Sequence, residues 1–409
     1  MKLKTTLIFF GLILFFSALK AQTSDDVLNL LVAKGTITEH EADSLRAAYA
    51  IKQQDIKANQ KAFPVNSGGK LLQIDGYTQV WFQDFQKQTL SPQNSFSIKR
   101  ARLDLKGSFD PEFDYRLQAD FVGASAQTGS INGTSLVAPT GGSLLSPTLL
   151  DAYIVYKPFK DYLKFTAGQF YIPFSLENTT PDNTLEIIDR SQVVEALVAR
   201  KGDASNGLVD SVGNQNGRDI GLQANGSLVS YNGGKLIDYY VALLNGAGID
   251  VADNNKNKDV STRLVVHPLS FIDIGASYYN GYDKFTGGTS GDRFRWGGEL
   301  AVNYKAFDLR SEIITGQDGN TLAKHIDHQG GYVQAGYFFV PKKLQIVAKY
   351  DTYDPNTNVP GLQSTYYILG ANYLFNSWAK IQVNYRKADG KGAINSNNDL
   401  VYTQFQIQF

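Results

Sequence analysis

The last ten residues of the chain, 400–409, alternate between apolar and polar side chains. The residues of the apolar face are Val401, Thr403, Phe405, Ile407 and Phe409, and those of the polar face are Tyr402, Gln404, Gln406 and Gln408. A period of two residues predicts a β-strand with one apolar and one polar face. A tilted strand of about ten residues is long enough to cross a lipid bilayer. The segment is therefore typical of the closing strand of an outer-membrane β-barrel.

The same alternation recurs from residue 72 to the end of the chain. It predicts about sixteen strands, over residues 72–83, 96–108, 113–123, 149–157, 161–171, 218–228, 236–245, 260–267, 271–280, 293–304, 307–316, 330–340, 343–351, 365–374, 379–388 and 400–409. Short connections rich in Pro, Gly and Asn alternate with long ones, as in barrels whose short turns lie on the periplasmic side. The sheet is expected to close, because an open edge in lipid would leave backbone groups unpaired.

The predicted fold class is therefore all-β. Residues 71–409 are expected to form a transmembrane antiparallel β-barrel of about sixteen strands, which is wide enough to keep an aqueous channel. The longest connection is 172–217, and connections above about 15 residues are usually functional or disordered. We expect this loop to fold into the lumen and narrow it. Its many carboxylates predict an acidic constriction unless Arg190 dominates locally.

The first residues have the pattern of a secretory signal peptide. Lys2 and Lys4 precede an apolar run over residues 7–16, and a cleavage site is expected after Ala21. No other stretch approaches the roughly 18 consecutive apolar residues that a spanning helix requires. We therefore expect residues 1–21 to be removed and the mature chain to reside in the outer membrane.

Residues 22–62 form a separate helical unit in this interpretation. Thr38 and Glu41 make a capping box, and an apolar stripe follows at helical spacing, of which Leu45 and Tyr49 are part. The stripe needs a partner, which is either the barrel itself, as a plug or tether, or another copy in a coiled coil. The unit is expected in the periplasm, and residues 63–70 are the predicted linker.

Charge and composition argue against several functional classes. Lys and Arg number 39 and Asp and Glu also number 39, so that removal of Lys2, Lys4 and Lys20 leaves 39 − 3 = 36 basic residues and a net charge of −3. This balance argues against a nucleic-acid partner. The chain has no cysteine, which excludes thiolate chemistry and cysteine-ligated metal. We predict no cofactor and no metal.

Two loop clusters and one histidine have side chains that could bind a metal ion or act as a base. His325 and His328 flank Asp327, and residues 250–259 are rich in oxygen donors, but solvated loops explain both better than metal or calcium sites. His267 falls in a predicted periplasmic turn, away from the outer rim where a barrel hydrolase would need its base. We predict no catalytic residues and no enzyme activity.

Strand parity also predicts which charged residues face the lumen. In the second strand, Leu103 and Leu105 point outward, so Arg102 and Asp104 point inward. The residues predicted to line the pore and to bind anions are Arg100, Arg102, Lys106, Arg116, Lys164, Arg190, Arg295 and Arg310. Inward carboxylates are about as numerous. A balanced lattice of salt bridges is therefore the alternative to a functional basic ladder.

Several motifs resemble those of the phosphate-selective porin O and P family. They are Ile98-Lys99-Arg100-Ala101-Arg102-Leu103-Asp104-Leu105, Gly168-Gln169-Phe170-Tyr171-Ile172-Pro173-Phe174-Ser175-Leu176-Glu177, Ile188-Asp189-Arg190-Ser191, Arg218-Asp219-Ile220-Gly221 and Asn245-Gly246-Ala247-Gly248. The resemblance covers nearly the whole mature chain. It implies a sixteen-stranded channel that assembles as a homotrimer, with Arg100, Arg102 and Arg190 at basic positions of the family.

The expected function is passive diffusion of small hydrophilic solutes, among them anions such as phosphate. The expected partners are the lipid of the outer membrane, small anionic solutes and further copies of the chain. Two alternatives stay open. One is a general or weakly cation-preferring porin, and the other is a structural or adhesive barrel without an open channel.

Overall fold

The computed structural model describes residues 31–32, 34, 65–67, 70–86, 94–122, 130–132, 135–137, 147–199, 217–231, 234–253, 255–284, 290–319, 325–390 and 399–409. The chain divides into two compact units, Met1–Ala62 and Phe63–Phe409. The predicted signal peptide and almost all of the predicted helical unit lie outside the described residues. Among the described residues, no helix is long and apolar enough to cross a membrane.

The second unit is a closed antiparallel barrel, and its described residues contain sixteen long strands. The strands are β1 (Lys70–Phe85), β2 (Asn94–Ser108), β3 (Phe113–Asp120), β4 (Thr148–Tyr156), β5 (Lys164–Tyr171), β6 (Arg218–Tyr231), β7 (Gly234–Leu244), β8 (Asp259–Leu269), β9 (Ile272–Lys284), β10 (Ser290–Tyr304), β11 (Phe307–Gly319), β12 (His325–Val340), β13 (Leu344–Asp354), β14 (Ser364–Leu374), β15 (Ala379–Gly390) and β16 (Leu400–Gln408). Each strand pairs with the next in sequence, and β16 pairs with β1 to close the sheet. The predicted fold class is confirmed.

The closing strand has the two faces that its alternation predicts. Tyr402 and Gln404 are 0% and 1% exposed, whereas Phe405 and Ile407 are 41% and 42% exposed. The apolar residues therefore face outward, where lipid surrounds a membrane barrel, and the polar residues face inward. The carboxy-terminal Phe409 is held at the seam, where its N–H donates to the Gly76 carbonyl at 2.9 Å.

Among the residues that the structure describes, three shorter strands lie outside this set. Val65–Ser67 pairs with the start of β1, so part of the predicted linker 63–70 is attached to the sheet. Ser130–Asn132 and Ser135–Val137 pair with each other within the connection between β3 and β4.

Some strands are longer than the alternation predicts. β11 and β12 extend into a region predicted as a long loop, so that His325 and His328 lie in a strand. His267 likewise lies in β8 rather than in a turn. The period of two fades near strand ends because the side chains there leave the bilayer, yet backbone pairing between neighbouring strands continues.

The long connection after β5 begins with an ordered stretch, residues 172–199, which we call the inward segment. It contains α1 (Leu176–Thr179), a 3₁₀ turn (Asp182–Thr184) and α2 (Gln192–Leu197). Apolar side chains of α2 and of Phe174 are buried in one cluster with Leu244 and Ile314 of the barrel wall. The inward segment therefore packs against lumen-facing side chains.

Candidate functional site

The inward segment is acidic and packs against basic positions of the wall. Its charged residues are Glu177, Asp182, Glu186, Asp189, Arg190 and Glu195, which gives 1 − 5 = −4. Because the segment is surrounded by barrel strands, these charges meet the lumen-facing side chains directly. The electrostatic character of the lumen follows from how they pair.

Asp182 contacts three guanidinium groups at once. It forms ion pairs with Arg100, at 3.1 Å, and with Arg102 and Arg190. Burial raises the pKa of Asp182, but the charges of Arg100, Arg190 and Arg102 outweigh burial and hold that pKa well below its usual range. The carboxylate is therefore ionised at neutral pH, and it ties the segment to β2.

The guanidinium cluster continues across β3 and β6. Arg102 Nε also donates to Asp120 at 2.8 Å. Arg218 donates to Asp151 at 2.7 Å, and its guanidinium stacks on the Tyr171 ring at 3.6 Å from the centroid. These residues lie on the consecutive strands β2 to β6, and the pairing of each strand with the next brings them to one side of the lumen.

The opposite side of the inward segment is held by carboxylates and one lysine. Glu312 of β11 accepts from the backbone N–H groups of Leu176 and Glu177, at 3.0 and 2.7 Å. Asp351 of β13 accepts from the Gln192 N–H at 3.0 Å. Both contacts satisfy N–H groups in the first turns of α1 and α2 that lack helical partners. Lys349 donates to Glu177 at 2.6 Å.

Apolar packing fixes α2 in the same position. Val193 and Val194 are fully buried, and Leu197 is nearly so, beside Leu244 and Ile314 of the wall. Burial of side chains of this size contributes about 1.5–3 kcal/mol each. The segment is thus held by charge on both sides and by apolar contact in the middle.

Comparison with known proteins identifies this architecture. The sequence model of the family described as phosphate-selective porin O and P matches residues 72–409, which include every barrel strand except the start of β1. The chain belongs to this family. It is therefore an outer-membrane porin, as the motifs of the sequence predicted. Comparison of the sequence with curated proteins gave no match.

Solved structures of other porins share the fold. An anion-selective porin from Comamonas acidovorans is 10% identical, with 83% of this chain and 100% of that chain covered and a TM-score of 0.59. The outer membrane protein OmpT of Vibrio cholerae, in its trimer form, is 10% identical over 83% and 99% of the two chains, with a TM-score of 0.55. OprB of Pseudomonas putida is 12% identical over 83% and 94%, with a TM-score of 0.57.

The eight basic residues predicted to line the pore of this porin occupy different surroundings. Each has a carboxylate oxygen within 4.0 Å. Arg100, Arg102 and Arg190 meet at Asp182. The other pairs are Lys106 with Asp75, Arg116 with Asp104 and Asp151, Lys164 with Asp161, Arg295 with Asp318, and Arg310 with Glu186. The lumen is thus a lattice of ion pairs in which guanidinium groups concentrate around Asp182.

Strict alternation of side chains along the strands does not predict the inward direction of two further cations, Lys99 and Arg218. Lys99 is buried, its ammonium bonds to Asp189, and it lies 4.1 Å from the Trp81 ring centroid. The register between β1 and β2 shifts at Gln79, which marks a bulge that adds one residue to β2. Lys99 and Arg100 therefore both point inward. Arg218 is part of a family-like motif, and strict alternation would direct it and its neighbour Asp219 to opposite faces, yet both are buried.

Open space remains below the inward segment of the porin. A cavity of about 360 Å³, which we call the vestibule, is bounded by β3–β8 and by Pro173 and Thr179 of the segment. Arg116, Lys164 and Arg263 line it. The vestibule lies in the half of the barrel nearest the short connections, because Lys164 is the first residue of β5.

The two loop clusters considered for metal binding have other contacts. His328 lies 3.1 Å from Asp318, which also pairs with Arg295. Asp253 accepts from the Asn255 N–H at 2.8 Å and pairs with Lys258. In the part of the chain that the structure describes, no three His, Cys, Asp or Glu side chains are grouped to hold a metal ion.

Proposed function

We propose that this porin mediates passive diffusion of small hydrophilic solutes with a preference for anions such as phosphate. The observation that supports the preference is the sharing of Asp182 by three guanidinium groups. Arg100, Arg102 and Arg190, with Asp182 and Asp120 as their carboxylates, sum to 3 − 2 = +1. These five side chains therefore carry one excess positive charge where the inward segment meets β2.

The ion pairs of the lumen favour passage of an anion over tight binding of it. Each guanidinium already has a carboxylate neighbour, so a passing anion competes for a group that is partly neutralised. A channel needs binding that is favourable at entrance and weak enough for release, spread over several sites. A positive potential in a narrow lumen also raises the local concentration of anions.

Neutralising Arg100 and Arg102 together tests this role. We expect the Arg100→Gln, Arg102→Gln protein to lose about two- to fivefold in the ratio of chloride to potassium permeability. Two charges near the path, screened largely by water, each contribute about 0.5 kcal/mol. The measurement is the reversal potential of purified protein in a planar bilayer under a potassium chloride gradient.

A charge-matched control removes two cations outside the lumen. Lys342 and Lys343 lie in the turn between β12 and β13, and both are exposed. The Lys342→Gln, Lys343→Gln protein should keep the wild-type reversal potential. An unchanged reversal potential in the arginine double variant would remove Arg100 and Arg102 from the selectivity role.

A cation-preferring porin is the second candidate, and one side of the lumen favours it. Glu177, Glu186, Asp308, Glu312 and Asp351 lie on the inward segment and on β11 and β13, with Lys349 and Arg310 as the nearby cations. A solute path along these carboxylates would select cations. The sign of the reversal potential distinguishes the two candidates.

We also propose the assembly and orientation of the porin. The short-connection end and residues 22–62 face the periplasm, residues 1–21 are removed on export, and three copies form a trimer. The family and the trimeric form described for OmpT support the assembly. The role is diffusion and not catalysis. Chemical crosslinking of protein from outer membranes should yield a trimer, and monomer alone would contradict it.

A further inference from the structure

The vestibule contains a row of polar side chains that runs across four neighbouring strands. Lys164 of β5 pairs in register with Asn225 of β6, Asn225 with Tyr240 of β7, and Tyr240 with Arg263 of β8. All four side chains line the vestibule. Neighbouring strands are about 4.8 Å apart, so the row extends over about 14 Å. It can therefore contact a solute longer than a single inorganic anion.

The two cations at the ends of the row are not equally available. Arg263 is 9% exposed and bonds to Glu299 through Nε at 3.1 Å and Nη2 at 2.5 Å. Lys164 pairs at 2.9 Å with Asp161, whose side chain is 64% exposed. Ion pairs this exposed contribute little, so the Lys164 ammonium can turn to a solute at small cost. Lys164 is the end that can bind an anionic group.

The middle of the row offers neutral hydrogen-bonding groups. Asn225 Oδ1 accepts from Gln223 Nε2 at 3.1 Å, which leaves the Asn225 NH₂ group toward the vestibule. Tyr240 contributes its phenol ring and hydroxyl to the lining of the vestibule. An amide and a phenol both donate and accept, which is what a solute hydroxyl requires. A solute that carries only an anionic group would leave them unused.

We propose that Lys164, Asn225 and Tyr240 form a binding site for hydroxylated organic anions. Lys164 binds the carboxylate or phosphate group of the solute, and Asn225 and Tyr240 hydrogen-bond its hydroxyl groups. The vestibule volume of about 360 Å³ lies in the range of small-molecule sites. The inference rests on the proposed anion preference and adds a substrate class to it.

Current block by matched solutes tests the site. The probes are gluconate against acetate and glycerol phosphate against inorganic phosphate, each added to wild-type channels in potassium chloride. At least one hydroxylated anion should half-block the current at a concentration several-fold below its plain counterpart. If only gluconate blocks more strongly than its counterpart, the site binds hydroxylated carboxylates. If only glycerol phosphate does so, the site binds hydroxylated phosphates. Equal block within both pairs would overturn the proposal.

Two variants separate the parts of the site. Tyr240→Phe removes one hydroxyl and keeps the ring, so the half-blocking concentration of the hydroxylated anion should rise about two- to tenfold. That of its plain counterpart should not change. Lys164→Gln should weaken block by both. Tyr367→Phe, on the outward face of β14, is the matched control and should change neither.

The outcome separates this site from the anion preference of the channel. A wild-type reversal potential that shows no anion preference contradicts the proposed function, whatever the blocking probes do. If the wild-type channel prefers anions and the hydroxylated anion blocks Tyr240→Phe at the same concentration as wild type, only the vestibule site is overturned. An equal loss for the plain and hydroxylated anions in Tyr240→Phe would also overturn it.

Discussion

Replacing Asp182 with Asn should loosen the inward segment and strengthen the anion preference of the channel. The substitution leaves Arg100, Arg102 and Arg190 without their common carboxylate, and the local charge rises from +1 to +2. Removing one partner of a buried ion pair typically costs about 3–5 kcal/mol. Part of this cost is avoided if the segment moves and water reaches the arginines.

Reversal potential and limited proteolysis measure the two effects of Asp182→Asn. The permeability ratio should shift further toward chloride, and cleavage within residues 172–199 should become faster than in the wild type. Asp389→Asn removes an equal charge from an exposed position on β15 and should change neither property. A proteolysis rate and permeability ratio equal to wild type would mean that Asp182 does not hold the segment.

Replacing Val194 with Asp should enlarge the conducting path. Val194 is fully buried in the apolar cluster that contains Leu244 and Ile314. A carboxylate cannot remain there unpaired, because desolvation of a charge costs many kilocalories per mole. We therefore expect α2 to detach from the barrel wall. Single-channel conductance should rise severalfold, since the segment would no longer fill the lumen.

An exposed valine provides the control for Val194→Asp. Val251 lies in the connection between β7 and β8 and is 42% exposed. Val251→Asp adds the same charge without disturbing packing and should conduct like the wild type. If Val194→Asp folds, inserts and conducts like the wild type, the inward segment does not set the width of the path.

The alternation of side chains predicted the barrel and most of the lumen face. In β2 and β3, Arg102, Asp104 and Asp120 are buried, while Leu117 is exposed. Alternation succeeds here because lipid-facing positions are predominantly apolar, so that the period of two is easily recognised. The closing strand was predicted for the same reason.

The bulge and the ion pairs were beyond what alternation can predict. A bulge shifts parity by one residue, which is why Lys99 was not expected in the lumen. The contact of Asp182 with Arg102 joins residues 80 positions apart, and it depends on how the inward segment folds. Charge composition predicted an acidic loop, but it could not predict that carboxylates of this loop meet the arginines of the wall.

The acidic side chains of the inward segment and the basic side chains of the barrel wall partly neutralise each other. Asp182 and Asp189 neutralise part of the charge of Arg100, Arg102 and Lys99, so that neither side alone determines selectivity. The excess of guanidinium groups around Asp182 is what remains after this pairing. We therefore attribute the anion preference to incomplete neutralisation of the arginines around Asp182.

The reversal potential of the wild-type channel in a planar bilayer tests this assignment most directly. Under a potassium chloride gradient, we expect a reversal potential on the chloride side of zero, and added phosphate should reduce the chloride current. A reversal potential on the potassium side would contradict the proposed anion preference. It would show that the carboxylates near β11 and β13, and not the arginines at Asp182, control the passage of ions.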